Sequence, residues 1–382
     1  MIYSEADLLA NSSLIKESFS GAEAYFAVKS CYASPVLSML AHAGFGAEVM
    51  SEFEYNLAEK NGFSPEKIIL NGFGRSEALL ERACKNGSTI IVDSAGDFQK
   101  IKKIAQTGAP MHLGIRLRVG GLEAFKTPYG NVRNKLGTDK TDQLFHDFLK
   151  LVLTTDTVRF KLLHAHFTIN ERNSAVYLHG LQEIKKTLDS LTVEHPHLTQ
   201  PTHISIGGGF YPFGREESDV ARSMFSEINK QFKGLFPNQV LCVEPGRFLT
   251  NTAGYVLASV VDRKTASGHE HVLVDAGTNV LIPIPSVHYA LQSRENDEGV
   301  SFSLADGITS PDNIIVRDAT ASALPVEGQR IVLKNCGAYT DVLSEFWVYM
   351  PYSGSFLSRE GRLIPYRNTD NLRIACQNMW GI

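Results

Sequence analysis

Cysteine is scarce and scattered. The five, Cys31, Cys84, Cys242, Cys336 and Cys376, are an odd number with no C-x-x-C pair. That argues against a disulfide framework or a thiolate metal site and fits reduced thiols in a cytoplasm. Long apolar runs are missing too: none reaches the roughly 18 residues of a membrane helix. The start, Met1-Ile2-Tyr3-Ser4-Glu5-Ala6-Asp7, lacks a basic segment followed by an apolar one, so no secretory leader is expected. Charge of one sign is not in excess either. Lys and Arg number 37 against 41 Asp and Glu, a net −4, which favours neither nucleic acid nor a membrane surface as partner. What is present is 382 residues, 43% hydrophobic and 20% charged, which is ordinary globular composition. The length fits two or three domains, or a large barrel with a smaller companion, and the class is most simply a soluble α/β enzyme acting on a small molecule.

The first two-thirds alternates short apolar runs with amphipathic stretches. Strands are expected at residues 24–28, 46–49, 67–70, 88–92, 112–118, 160–166, 202–206 and 239–243. Helices are expected at 35–41, 52–60 and 98–105, the last behind Ser94 as N-cap. Eight strands with helices between them point to a closed (β/α)8 barrel, although periodicity alone does not separate it from an open doubly wound sheet. After Pro245 the texture changes. Strand-like segments at 255–261, 271–274, 313–316 and 329–333 are separated by turn residues, as in an all-β domain. The expected division is a barrel over 10–247 and a β-domain over 248–382 joined by residues 1–9.

In such a barrel, chemistry sits at the C-terminal ends of the strands. Four ends stand out. Lys29 after the first strand reads as a partly desolvated amine nucleophile, or as a surface lysine snorkelling off a strand end. His166 ends the sixth strand and could stack on a planar ring or be an ordinary loop histidine. His164, two residues earlier, points to the same side as a structural partner, and no third ligand makes the two a zinc pair. Gly207-Gly208-Gly209 offers unhindered backbone N–H groups, either a phosphate cradle or a tight turn, and has no P-loop lysine. Glu244-Pro245-Gly246-Arg247 supplies an acid for a protonated ring nitrogen and an arginine for a carboxylate or phosphate, or simply a local Glu–Arg pair.

In this order, with Gly337-Ala338-Tyr339 in the β-domain, these residues resemble the motif set of the fold-type III pyridoxal-phosphate decarboxylases. That is the diaminopimelate/ornithine/arginine decarboxylase group with an alanine-racemase-like barrel. Tyr25-Phe26-Ala27-Val28-Lys29-Ser30 looks like the family's Y-A-V/M-K-A, Gly46-Ala47-Glu48-Val49-Met50-Ser51 like its G-A-D-V-V-S, and Asn134-Lys135-Leu136-Gly137 like its S/N-K-F-G. The resemblance covers nearly the whole chain. It implies pyridoxal 5'-phosphate as cofactor, with Lys29 carrying it as an internal aldimine and His166 stacking on its ring. It further implies that Gly208, Gly209, Gly246 and Arg247 hold the phosphate, that Glu244 pairs with the ring N–H⁺, and that Tyr339 reaches the phosphate from the β-domain. A cytoplasmic homodimer with active sites at its interface is implied as well, with an amino-acid substrate and no metal.

The departures concern the substrate. The family's H-V/I-G-S reads His166-Phe167-Thr168-Ile169. Its G-P-x-C-[DE/TP]-x-D falls at Gly307-Ile308-Thr309-Ser310-Pro311-Asp312-Asn313, so Thr309 stands at the position of the catalytic cysteine and Ser310 at that of a substrate-reading acid. None of the five cysteines takes the place of that thiol. A hydroxyl is far too weak an acid to replace it, so His288, Cys336 or water is the expected proton donor. The family's L-I-R-P-x-L-Y reads Leu281-Ile282-Pro283-Ile284-Pro285, without the arginine that grips a distal carboxylate. Arg247, Ser310 and His288 are the candidates for touching substrate, and the loops at 120–133 and 286–297 for setting selectivity. The Thr-Ser-Pro segment resembles the C-T-P of decarboxylases in siderophore and antibiotic pathways, which act on conjugated amino acids. The leading expectation is decarboxylation of an amino acid or amino-acid conjugate, in secondary metabolism. A racemase or epimerase, which Glu244 counts against, and a non-catalytic cofactor-binding protein are the rivals.

Overall fold

A computed structural model describes all residues except 132, 283–288, 293–298, 345–347, 349–353, 368–369, 371–373, 375–377 and 379–382. The chain opens on a short strand, β1 (Ile2–Ser4), and a helix, α1 (Glu5–Ser18). Strand and helix then alternate as β2 (Glu23–Ala27), α2 (Ser34–His42), β3 (Gly46–Val49), α3 (Glu52–Lys60), β4 (Ile68–Leu70) and α4 (Glu77–Lys85). The alternation continues through β5 (Thr89–Val92), α5 (Ala95–Ala105), β6 (Met111–Arg116), α6 (Gln143–Thr154), β7 (Val158–His164), α7 (Ala175–Glu194), β8 (His203–Ser205), α8 (Ser218–Leu235) and β9 (Val240–Val243). Strands β2 to β9 close into a parallel barrel, with β9 pairing back onto β2. The closed barrel, and not the open sheet, is therefore the arrangement adopted.

Local chemistry explains the regularity. Every residue of β3, β4 and β5 is buried, as parallel strands covered on both faces must be. Serine caps start three of the helices: Ser51, Ser76 and Ser94 accept from the backbone N–H groups of Glu54, Leu79 and Asp97, each satisfying a donor the helix itself leaves unpaired. Inside the barrel Tyr25, Ile69, Ile91, Leu162 and Cys242 form a packed layer, so its centre is core and not pore.

The chain divides into two compact units. One comprises 12–29 and 37–248, the barrel; the other comprises 1–11, 30–36 and 249–382. After a one-turn helix, α9 (Arg247–Thr250), the second unit continues as β10 (Gly254–Ala266), β11 (His269–Val274), β12 (Ala290–Leu291), β13 (Val300–Asp306), β14 (Ile314–Ala321), β15 (Arg330–Lys334), β16 (Ser355–Arg359) and β17 (Arg362–Arg367). Its sheet runs β14-β13-β11-β10-β1-β16-β17, with β15 pairing β10 and β12. β1 lies antiparallel to β10 and parallel to β16. Periodicity picked out parts of β10, β11, β14 and β15; it did not show β13, β16, β17 or α1, and β10 runs five residues further than 255–261 implied.

Candidate active site

The C-terminal ends of the eight barrel strands each carry a polar side chain, and these meet. Lys29 follows β2 in a tight turn, Val28–Ser30. Its Nζ lies 2.6 Å from Glu48 Oε2, whose side chain is 1% exposed. Glu48 is on β3, paired in register with Ala27. Its other oxygen accepts 3.2 Å from Asn71 Nδ2, just past β4. Asp93 follows β5 and accepts from the Gly137 N–H at 2.8 Å. Arg116 ends β6 with Nη1 3.8 Å from Asp93 Oδ2, an ion pair with both side chains buried. Burial pushes the Asp93 carboxyl up, against the opposing charge of Arg116.

Across the next three strands the side chains share one layer. Arg116 pairs in register with His164, and His164 with Ser205. Both oxygens of buried Glu244, just past β9, are engaged: Oε1 accepts from Ser205 Oγ at 2.6 Å and Oε2 faces His164 Nε2 at 3.1 Å. Burial alone would raise the Glu244 carboxyl. The charge of His164, the hydrogen bonds from His164 and Ser205, and the charge of Lys29 together outweigh it and hold the group low, as a carboxylate.

His166, half-buried, lies beside the glycine turn. The Gly208 N–H points at its Nδ1 (3.4 Å), so the ring proton sits on Nε2, which donates to the Thr168 carbonyl at 3.0 Å. The Tyr129 ring lies 4.7 Å away, tilted by 40°. Burial, then the Arg116 charge, pushes His166 down to about 3, so it is a neutral ring at any ordinary pH. The glycine turn admits no side chain. A Cβ on Gly207, Gly208 or Gly209 would fall 2.2 Å from His166 Nδ1, 2.2 Å from the Glu244 carbonyl oxygen or 2.1 Å from the Thr168 carbonyl oxygen, and φ is positive at Gly207 and Gly209. Close approach of the His166 ring at Gly207 and of backbone at Gly208 and Gly209, and not only turn geometry, demands glycine at all three positions.

Sequence reasoning placed Lys29, His166, the glycine turn and Glu244 here, and the fold brings them together around one barrel end. Gly246 and Arg247 follow Glu244 after one proline, Pro245; Arg247 opens α9 and is buried. Lys29, expected as a partly desolvated amine, is paired with a buried carboxylate, Glu48, which the sequence reading did not include in the site. Glu48, Asn71, Asp93, Arg116 and Ser205 were missed as site residues. All five lie at or just after the C-terminal end of a strand that was correctly located, so reading eight ends instead of four would have found them.

The remaining candidates belong to the second unit. Tyr339 has φ of 58° and donates its N–H to the Ser30 carbonyl at 2.8 Å. Thr309 is exposed, on a turn held by Asp306, whose carboxylate accepts from Ile308 N at 2.9 Å and from Thr278 N and Oγ1 at 2.6 and 2.8 Å. The Ser310 carbonyl accepts from Asn313 N at 3.3 Å in the same turn. His288 lies outside the described residues.

Comparison with known proteins agrees with this geometry. The diaminopimelate decarboxylase of Aquifex aeolicus (strain VF5) is 22% identical over 97% of this chain and 89% of its own. That of Helicobacter pylori (strain ATCC 700392 / 26695) is 27% identical over 85% and 81%. A solved diaminopimelate decarboxylase of M. jannaschii in complex with L-lysine superimposes with a TM-score of 0.84 at 20% identity, covering 96% of this chain and 88% of that one. A lysine/ornithine decarboxylase of Vibrio vulnificus complexed with putrescine gives 0.78 at 18% identity, covering 94% of each. Residues 5–251, well over half of the chain, match the family model described as the pyridoxal-binding domain of pyridoxal-dependent decarboxylases. The chain therefore belongs to the pyridoxal-dependent decarboxylases, carboxy-lyases of fold type III that work with pyridoxal phosphate.

Proposed function

We propose that this enzyme removes the α-carboxylate of an amino acid whose far end is not a free carboxylate gripped by arginine, as in an amino-acid conjugate of secondary metabolism. The barrel end suits the cofactor. It offers an amine on Lys29, a buried ionised acid on Glu244 and a glycine turn where any Cβ would collide with backbone or His166. Bound there, pyridoxal phosphate supplies the electron sink for the charge left when CO2 departs.

The chain's own residues do the rest. Lys29 holds the cofactor through its amine, and Glu48 Oε2, 2.6 Å from Nζ, is within reach to take the proton the amine gives up. Glu244 keeps its negative charge for the ring nitrogen. An ionised carboxylate offers about four acceptor sites, so Ser205 and His164 leave capacity for one more donor. His166, neutral and braced at both ring nitrogens, presents a flat face without a competing cation. Gly208, Gly209, Gly246 and Arg247 are the residues we assign to the phosphate. By motif position alone we assign Tyr339 to it as well, and Thr309, Ser310 and His288 to the substrate. The working form is a homodimer in the cytoplasm, a setting that suits the free, buried thiols Cys31, Cys84, Cys242 and Cys336.

The observation that carries the reading is the meeting of Lys29 and Glu244 at one barrel end, with the missing family arginine pointing the substrate away from diaminopimelate. The test is CO2 release from purified protein supplied with cofactor. Diaminopimelate, lysine, ornithine and arginine are compared with their citrate-linked or carrier-linked conjugates. Faster turnover of a conjugate supports the proposal. Preference for free diaminopimelate overturns the substrate assignment, and loss of optical rotation without CO2 overturns the reaction.

A further inference from the structure

Glu244 is held from two directions by side chains that no family motif quoted above contains. Ser205 Oγ donates to Oε1 at 2.6 Å, and its own oxygen accepts the Gly207 N–H at 3.1 Å. The hydroxyl is thereby oriented, because its acceptor side is occupied by the glycine turn and its proton has Glu244 as partner. His164 presents Nε2 to Oε2 at 3.1 Å and is itself 1% exposed. Its Nδ1 is buried with no hydrogen-bond partner, as is Asp93 Oδ2. The groups around this ring are Arg116 and Ser205, flanking it in register, with Glu244 in contact and Asp93 and His166 within charge range. A carboxylate facing Nε2 demands that this nitrogen carry the proton.

We propose that His164 and Ser205 are positioning residues for Glu244, each donating one hydrogen bond that fixes the carboxylate's orientation and charge toward the ring nitrogen of pyridoxal phosphate. This rests on the reading of Glu244 as that nitrogen's partner. A residue with only a packing role would weaken cofactor binding whether or not the ring had a nitrogen. A positioning residue acts only through that nitrogen, and this difference makes the two roles separable.

The experiment measures the affinity of the apoprotein for pyridoxal 5'-phosphate and for 1-deazapyridoxal 5'-phosphate, which has carbon in place of the ring nitrogen. In the wild type the natural cofactor binds more tightly. In His164→Phe that preference is expected to shrink about ten- to a hundredfold, the value of a hydrogen bond to a charged group. Ser205→Ala should shrink it by about tenfold or less. His164→Gln, which keeps an N–H near the position of Nε2, should retain most of it. Equal losses for both ligands in His164→Phe and Ser205→Ala would overturn the proposal, and should the phenylalanine variant not fold, Ser205→Ala decides alone. A wild type that binds neither ligand, or binds both equally, instead overturns the reading of the site, a distinct outcome.

Discussion

The two ends of the barrel carry the same combination of residue types, a glutamate with a histidine and a hydroxyl. At the C-terminal end Glu244 meets His164 and Ser205. At the N-terminal end Glu23, on β2, accepts from the Tyr25 hydroxyl at 2.6 Å and lies 3.7 Å from His203, on β8. The settings differ. The Glu244 side chain is 5% exposed and that of Glu23 is 43% exposed. The Tyr25 ring is part of the barrel's apolar filling, so the N-terminal trio lies beside packed core. The cleft next to it measures about 160 Å³, below the roughly 300 Å³ at which ligand pockets begin. A Glu–His–hydroxyl trio is therefore not in itself a site. An amine, a glycine turn and burial deep enough to make charge expensive turn one end into chemistry, while the other end is a fastening.

The sharpest way to break this contrast is to remove the amine. Lys29→Ala should abolish the visible absorbance of bound cofactor and lower CO2 release about a thousandfold or more, since it deletes the amine proposed to carry the cofactor. Retained absorbance and turnover would show that the C-terminal end owes nothing to that lysine. Next come the two acids. Glu244→Gln should lower kcat/KM by about a hundred- to a thousandfold, in line with loss of one preorganised electrostatic partner. Glu23→Gln should change kcat/KM less than about twofold, as a substitution remote from the site. Similar losses in both variants would erase the distinction between the ends.

Glycine gives a third comparison. Gly208→Ala puts a methyl 2.2 Å from the Glu244 carbonyl oxygen, and backbone cannot yield cheaply there. A cost of about 2–3 kcal/mol in denaturant unfolding is expected, together with weakened cofactor binding. Gly44 lies on the turn before β3 with φ of +85° and open space around its Cβ position. Gly44→Ala should cost only about 1 kcal/mol, from the left-handed backbone, and leave cofactor binding alone. Equal costs would mean that the triplet is no tighter than an ordinary turn.

The barrel was legible in the sequence and much of the second unit was not, for a physical reason. Strands such as Ile68-Ile69-Leu70 and Thr89-Ile90-Ile91-Val92 are buried on both faces and announce themselves by composition. β13 begins Val300-Ser301, exposed, and ends Leu304-Ala305-Asp306, buried, and its aspartate serves the following turn. β17 is exposed or half-buried throughout and contains Pro365, so neither alternation nor an apolar run marks it. Within the site, the motifs pointed to the residues proposed above to touch the cofactor. Ser205 and Asp93 escaped notice because each gains its meaning from a partner dozens of residues away: Glu244 in one case, Arg116 in the other. Glu48 lay inside a segment already quoted for its resemblance. Its role as partner of Lys29 follows from the register of β2 and β3, which spacing along the chain does not reveal.

The smallest effect belongs to the fastening. His203, with the Tyr25 hydroxyl and against the opposing effect of burial, holds the Glu23 carboxyl down to about 2 from its ordinary 4.5. The Glu23–His203 separation of 3.7 Å is longer than that of an ordinary hydrogen bond, so the Tyr25 hydroxyl at 2.6 Å is the tighter of the two contacts. A carboxyl with a depressed folded-state value adds stability that is fully present above the unfolded value and is lost as pH falls toward the folded one. The contribution is therefore intact at pH 6 and fades between about 4.5 and 2. Because Glu23 is more than a third exposed, water and salt screen it, and the gain is about 1 kcal/mol or less. Glu23→Gln should lower unfolding free energy by that amount at pH 6, the gap closing as pH approaches 2. A gap that persists undiminished at the acid end would mean that Tyr25 and His203 hold position 23 by shape instead of charge, and the likeness between the two barrel ends would then stop at residue names.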